Sequence, residues 1–182
     1  MRSDEELMAA YIGGDAQAFV ELFDRYAAQL RRTLRYQLKR PEDAEDLLQQ
    51  TFLQLHKSRL DFKPGHALRP WLFTIAINLK REHFRRVRRR PESPLSLDGR
   101  RDPAVAGAEL QLEAAEQVRY ALSRLPDDQR EVISLHWLGG VPLPEVAEIV
   151  GASLSAVKVR AHRGYTKMRE ILGDDVGNRG GG

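Results

Sequence analysis

The stretch from Val146 to Leu172 constrains this chain more than any other, because its pattern predicts two helices around a tight turn that begins at Gly151. One face of the second helix follows the spacing i, i+3, i+4, i+7, i+8, i+11. All its members except Val159 are polar or basic. They are Ser155, Lys158, Val159, His162, Arg163 and Thr166. The opposite face is small or apolar: Val157, Ala161, Gly164, Met168 and Leu172.

A helix with cations, hydroxyls and an imidazole on one face and a packing stripe on the other is typical of the DNA-reading helix of a helix-turn-helix. An ordinary packed helical hairpin is the alternative. The outward positions of Lys158, His162 and Arg163 favour DNA.

Almost every other periodic segment also has the period of an α-helix, and no alternating strand pattern stands out. Composition changes over residues 91–108, which are rich in Pro, Ser, Gly, Ala and Asp and have no apolar period. We therefore predict an all-α protein of two small helical domains, residues 1–90 and 109–174, joined by a flexible linker. The tail, residues 175–182, is expected to be disordered.

Five helices are predicted before the helix-turn-helix, at about residues 16–38, 41–60, 69–89, 109–124 and 127–138. Asp15 suits the N-cap of the first of them, and Pro41 suits the first turn of the second.

Missing motifs argue against several classes of protein. The chain has no cysteine, so it contains no disulfide and no thiolate metal site. Its five histidines are scattered, and no HExxH pair, phosphate-binding loop or nucleophile elbow is present. No apolar run approaches the roughly 18 residues of a membrane span, and the acidic N-terminus lacks a signal-peptide core. We expect a soluble cytoplasmic protein that is not an enzyme and holds no cofactor or metal.

A dense run of cations ends the third predicted helix. The run contains Lys80, Arg81, Arg85, Arg86, Arg88, Arg89 and Arg90, against the single acid Glu82. Cations favour a helix C-terminus, but this number exceeds what that effect explains and points to nucleic-acid phosphates. Nearby aromatic rings could stack on unpaired bases. Trp71 could equally be a core anchor, whereas Phe73 lies off the apolar stripe and is the better candidate for an exposed ring.

A polar face lies on the second predicted helix. It is formed by Asp46, Gln49, Gln50 and Leu53. Such a face is usually only solvated, but it could dock on a partner helix, and periodicity alone leaves both interpretations open.

Four motifs in this order resemble the extracytoplasmic-function (ECF) sigma factors, group 4 of the sigma-70 family, which direct bacterial RNA polymerase to promoters. Residues 41–52, PEDAEDLLQQTF, are similar to region 2.2. Residues 68–79, LRPWLFTIAINL, and the basic tail after them are similar to regions 2.3 and 2.4. Residues 125–132, LPDDQREV, are similar to region 4.1, and residues 145–163 to region 4.2. The resemblance covers about residues 18–172.

The resemblance implies roles for the first domain, which would be a sigma region 2 domain. Its polar face of Asp46, Gln49, Gln50 and Leu53 would dock on the β′ clamp helices of core RNA polymerase. The same domain would recognise and melt the −10 element of promoter DNA. The residues implied in −10 binding are Phe62, Lys63, His66, Trp71, Phe73, Asn78, Arg81, Arg85 and Arg86.

The second domain would be a sigma region 4 domain that contacts the β flap of the polymerase and reads the −35 element. The residues implied in −35 binding are Ser153, Ser155, Lys158, Val159, Arg160, His162 and Arg163. Ser153 also suits the N-cap of its helix. The resemblance further implies an anti-sigma factor as inhibitor.

Four departures from the family pattern affect sites of contact. Gln50 stands where Glu is usual, and Ile77 stands where Arg is common just before Asn78. Pro142-Leu-Pro-Glu145 replaces a start similar to Ser-Tyr-Glu-Glu, and Val159 stands where Ser is common. The preferred −10 and −35 sequences therefore do not follow from the resemblance.

Two other functions are compatible with parts of the sequence. A stand-alone helix-turn-helix regulator fits the C-terminal third, but it does not explain the polar face around Asp46 or the basic run. A helical scaffold without a DNA role would leave both basic helices as devices for solubility.

Overall fold

The computed structural model describes residues 2–38, 40–89 and 106–178. These residues form eight α-helices and no strand, which confirms the all-α prediction. The helices are α1 (Asp4–Ile12), α2 (Ala16–Arg35), α3 (Pro41–Lys57), α4 (Leu68–Arg89), α5 (Ala106–Ser123), α6 (Asp127–Ile133), α7 (Leu143–Val150) and α8 (Leu154–Asn178). A 3-10 turn, Arg59–Asp61, follows α3, and a π-helical turn, Ser134–Leu138, follows α6.

Helix α1 was missed by the sequence analysis, although the sequence contains its start signal. The Ser3 hydroxyl accepts a hydrogen bond from the Glu6 backbone N–H, and the Glu6 carboxylate accepts one from the Ser3 N–H. This reciprocal capping box satisfies two donors that a helix start otherwise leaves free. The helix then buries Leu7 and Met8 completely.

Two helix ends differ from the predicted boundaries. α5 begins at Ala106, inside the predicted linker, and the rest of that linker lies outside the described residues. α8 continues to Asn178, so residues 175–178 are helical where a disordered tail was expected, and residues 179–182 lie outside the described part. A glycine such as Gly177 costs a helix only about 1 kcal/mol, which does not suffice to end it.

Helices α1 to α4 form the N-terminal domain. The Asp15 carboxylate accepts hydrogen bonds from the N–H groups of Gln17 and Ala18, which confirms it as the N-cap of α2. Pro41 lies in the first turn of α3, as predicted. The core between these helices is built largely from leucines and aromatic residues, among them Leu22, Leu30, Leu34, Leu47, Leu48, Phe52, Leu55 and Leu72.

Helices α5 to α8 form the C-terminal domain. Gly151 ends α7 with a φ of 70°, a left-handed conformation that glycine adopts without steric cost. This residue produces the tight turn between α7 and α8. Val157 and Ala161 on α8 are buried, and Gly164 lets α8 approach Ile133 of α6 closely.

The two domains pack directly on each other. α4 contacts α7, and α2 contacts the π-helical turn. Gly139, just after that turn, lies so close to Thr33 and Phe73 that an added Cβ atom would come within 2.8 Å of the Thr33 Oγ1 and 3.2 Å of the Phe73 ring. Buried residues of both domains therefore join into one continuous apolar cluster.

The close approach of α8 to α6 yields a stability prediction. A Cβ atom on Gly164 would lie 2.9 Å from Cγ1 of Ile133, so Gly164→Ala should lower the free energy of unfolding by about 1–3 kcal/mol. Urea unfolding followed by circular dichroism measures the change. Gly173→Ala is the matched control on the same helix, because its Cβ meets no atom of the described residues within 4 Å. The control should be neutral or stabilising by up to about 1 kcal/mol. Equal destabilisation by both variants would contradict the packing argument.

Candidate nucleic-acid interface

The predicted reading face of α8 is open to solvent. Ser155, Lys158, Val159, His162 and Arg163 are all exposed, while the opposite face of the same helix packs on the domain core. The face is therefore free to enter a DNA groove, and its donors and acceptors can reach base edges there.

Two further residues at the start of this surface combine structural and polar roles. The Ser153 hydroxyl accepts a hydrogen bond from the Ala156 N–H at 3.2 Å, which confirms the predicted N-cap of α8. It also lies 3.1 Å from the Ser155 hydroxyl. Arg160 is half-buried, and its Nε is 3.2 Å from the carboxylate of Asp128 on α6. Arg160 is thus held in place by its own domain before any ligand binds.

The polar face of α3 is exposed as well. Asp46, Gln49 and Gln50 lie on the outside of the helix, and half of the Leu53 side chain is accessible. A large apolar residue amid exposed amides and a carboxylate is suited to a protein partner.

The predicted −10 residues divide into two groups. Lys63, His66, Asn78, Arg81, Arg85 and Arg86 are exposed. Phe62, in contrast, is only 8% exposed, because its ring packs on the half-buried Trp71 at a centroid distance of 5.2 Å. These two rings support the loop after α3 from below and are not open stacking platforms in this arrangement.

The prediction that Phe73 presents an exposed ring is wrong. Its side chain is completely buried, next to Gly139 of the C-terminal domain. The residue does lie off the stripe that packs into its own domain, as the periodicity indicated. A second domain covers that position, and Ile77, one turn further along, is buried there too.

Charged residues join the two domains on either side of these apolar contacts. Arg69 on α4 donates two hydrogen bonds to the two carboxylate oxygens of Glu145 on α7, each 2.8 Å long. Lys80, near the middle of α4, donates to the Glu131 carboxylate of α6 at 2.6 Å. The sequence analysis missed Arg69, Glu131 and Glu145, since no local pattern connects residues so distant along the chain.

Comparisons with known proteins agree with this architecture. The family model for sigma-70 region 2 matches residues 22–90, and that for sigma-70 region 4 matches residues 115–168. The chain is 35% identical over 173 residues to the ECF RNA polymerase sigma factor SigM of Mycobacterium tuberculosis, covering 94% of this chain and 86% of the relative. It is also 35% identical over 168 residues to the RNA polymerase sigma factor CarQ of Myxococcus xanthus, covering 92% and 96%.

The chain belongs to the ECF sigma factors. As a member, it binds core RNA polymerase and directs promoter recognition and the initiation of transcription. Among solved structures, CnrH in complex with the cytosolic domain of CnrY is similar with a TM-score of 0.74 and 29% identity, over 94% of this chain and 98% of CnrH. Within the described residues, no helix is both long and apolar enough to cross a membrane.

The capping role of Ser153 can be measured directly. Ser153→Ala removes the acceptor for the Ala156 N–H and should lower the free energy of unfolding by about 1 kcal/mol. Ser155→Ala is the control, because the Ser155 hydroxyl contacts only that of Ser153 among the described side chains. The control should cost less than half as much in the same urea titration. A larger loss for the Ser155 variant would contradict Ser153 as the cap.

Proposed function

We propose that this ECF sigma factor divides its contacts among three surfaces: α3 for core polymerase, α8 for the −35 element, and α4 with the preceding loop for the −10 element. The observation that carries the proposal is the simultaneous exposure of the polar face of α3 and the reading face of α8 on opposite domains. A stand-alone DNA-binding regulator has no use for the first of these faces.

The α8 surface supports duplex reading in the usual division of labour between base and phosphate contacts. Lys158, His162 and Arg163 are placed to reach base edges or nearby phosphates, while Ser153, Ser155 and Arg160 are placed to hold the backbone. Val159 offers an apolar contact, such as one with a thymine methyl group.

On the N-terminal domain, Arg85 and Arg86 are exposed cations suited to promoter phosphates. Lys63, His66 and Asn78 are exposed polar residues suited to contact an unpaired −10 base, and the Phe62–Trp71 ring contact supports the loop that carries Lys63 and His66. Such a chain works as a non-catalytic subunit in the cytoplasm, where polymerase and promoter are found.

We also propose control by an anti-sigma factor. The similar CnrH was solved with the cytosolic domain of CnrY bound. The likeness to CnrH extends over nearly the whole of both chains, so an inhibitor of this class has an equivalent surface to bind here.

The first test is a pull-down of the purified chain with bacterial core RNA polymerase, followed by run-off transcription on a promoter library. A stable complex that initiates at a shared −35 and −10 pair is the expected result. Specific duplex binding by the chain alone, without binding to polymerase, would favour the stand-alone regulator.

Two charge reversals should then separate polymerase docking from DNA reading. Asp46→Arg should abolish the complex with core polymerase, because it reverses the charge of the one charged residue among the four of the α3 face. Arg163→Glu should leave that complex intact and abolish transcription from promoters that require a −35 element. Glu5→Arg and Arg32→Glu, exposed reversals of the same sign on α1 and α2, are the controls and should retain activity. Loss of polymerase binding with Arg163→Glu would contradict the assignment.

A further inference from the structure

Helix α4 has a second face that the C-terminal domain covers. Arg69, Phe73, Ile77 and Lys80 recur at i, i+4, i+8 and i+11 and so lie along one side of the helix. Phe73 and Ile77 are buried, and the Lys80 side chain is 8% exposed although it belongs to the basic run. One end of the DNA-binding run is therefore inaccessible while the domains are packed together.

Glu131 of the C-terminal domain bridges the two cations that begin the basic run. One of its carboxylate oxygens accepts a hydrogen bond from the Lys80 Nζ at 2.6 Å, and the other accepts one from the Arg81 Nη2 at 2.5 Å. Lys80 also donates to the Gln37 side chain. An anion with two oxygens on two neighbouring cations is also the arrangement in which such cations hold a phosphate.

The Lys80–Glu131 ion pair is buried, so loss of one partner would destabilise the closed arrangement of the domains. Burial by itself raises the pKa of the Glu131 carboxyl, but the positive charges of Lys80 and Arg81 outweigh this and hold the pKa below its usual range. Burial lowers the pKa of the Lys80 ammonium, against the opposing effect of Glu131. Without Glu131, Lys80 would be a buried cation with no counter-charge, and separation of the domains would relieve that cost.

A cavity of about 230 Å³ opens beside the pair, between α4 and α6. Its lining contains five cations, namely Lys80, Arg81, Arg85, Arg88 and Arg130. Asp127, the acid in the same lining, lies 3.1 Å from Arg130 and 3.7 Å from Arg88. The cavity therefore offers a nucleic-acid backbone a positively charged path to Lys80.

We propose that Glu131 is an internal substitute for a promoter phosphate: it holds the closed chain together through Lys80 and Arg81, and nucleic acid must displace it from these cations. This inference rests on the proposed DNA role of α4. Phosphate binding and domain closure then exclude each other, and the apparent affinity for DNA is the affinity of the open chain multiplied by the fraction of chains that are open. Opening also uncovers Phe73 and Ile77 on the same face.

The conformational half of the test needs no DNA. Because the chain has no cysteine, dyes attach only at introduced residues, for which exposed Gln54 and Lys167 are suitable. In this Gln54→Cys, Lys167→Cys background, Glu131→Gln should change the energy transfer between the dyes, since the domains separate. Glu82→Gln is the matched control: it removes a carboxylate next to Arg81, but its contact with Arg85 stays within α4. Unchanged energy transfer in Glu131→Gln would overturn the proposal that Glu131 holds the domains together.

The binding half uses a fluorescein-labelled oligodeoxythymidine strand, because phosphate contacts do not depend on sequence. Glu131→Gln should bind it about 5- to 150-fold more tightly than the natural chain, the usual range of coupling between exclusive states. Glu82→Gln should change binding far less. Equal tightening by both variants would reduce the effect to general charge and overturn the proposal. Changed energy transfer with no strand binding by any variant would instead contradict the DNA role of α4.

A locked chain covers the case in which Glu131→Gln does not fold. Arg88 and Asp127 are exposed and lie in different domains, 3.7 Å apart. Arg88→Cys together with Asp127→Cys, joined by a short bis-methanethiosulfonate that forms a mixed disulfide with each thiol and releases methanesulfinate, should hold the chain closed and weaken strand binding. Reduction should restore it. Tight binding by the locked chain would show that Lys80 and Arg81 bind phosphate without displacing Glu131, and would overturn the proposal.

Discussion

The buried contact between Lys80 and Glu131 is the interaction on which the arrangement of this molecule depends. It places a lysine from the basic run of α4 inside the protein, where a cation is tolerated only with a partner. The partner belongs to the other domain. The same contact that pairs this lysine therefore also fixes how the two domains pack. The Arg69–Glu145 ion pair forms a second attachment at the start of α4.

Helix α4 packs against its own domain, against the C-terminal domain, and also has a solvent-exposed side. Leu72, Phe73, Ala76 and Ile77 are all buried, Phe73 lies against Gly139 of the other domain, and Asn78 is left to solvent. A helix that is apolar nearly all round must be buried nearly all round. This explains why Ile77 is well placed here: an arginine at the same position would have to leave the domain interface.

The sequence predicted best those features that depend on neighbours along the chain. The exposed and buried sides of α8, its cap at Ser153 and the turn at Gly151 all follow from local spacing and backbone preference, and the structure has them as predicted. Phe73 was misplaced for a different reason. Periodicity shows which side of a helix avoids its own core, but it does not distinguish a side that faces water from a side that faces another domain. Glu131 was missed likewise, because its partner lies 51 residues away.

The closed arrangement leaves the polar face of α8 exposed but covers the beginning of the basic run on α4. The α8 face is exposed, and so is the polar face of α3 around Asp46. The beginning of the basic run, in contrast, is covered as long as Glu131 occupies it. Under the proposed assignments, polymerase binds α3 without any prior change in the chain, whereas engagement of Lys80 by a phosphate requires the domains to part. On the proposed division of contacts, polymerase that draws the two domains onto separate surfaces also removes Glu131 from Lys80. The basic run then becomes available when promoter DNA is present to replace Glu131.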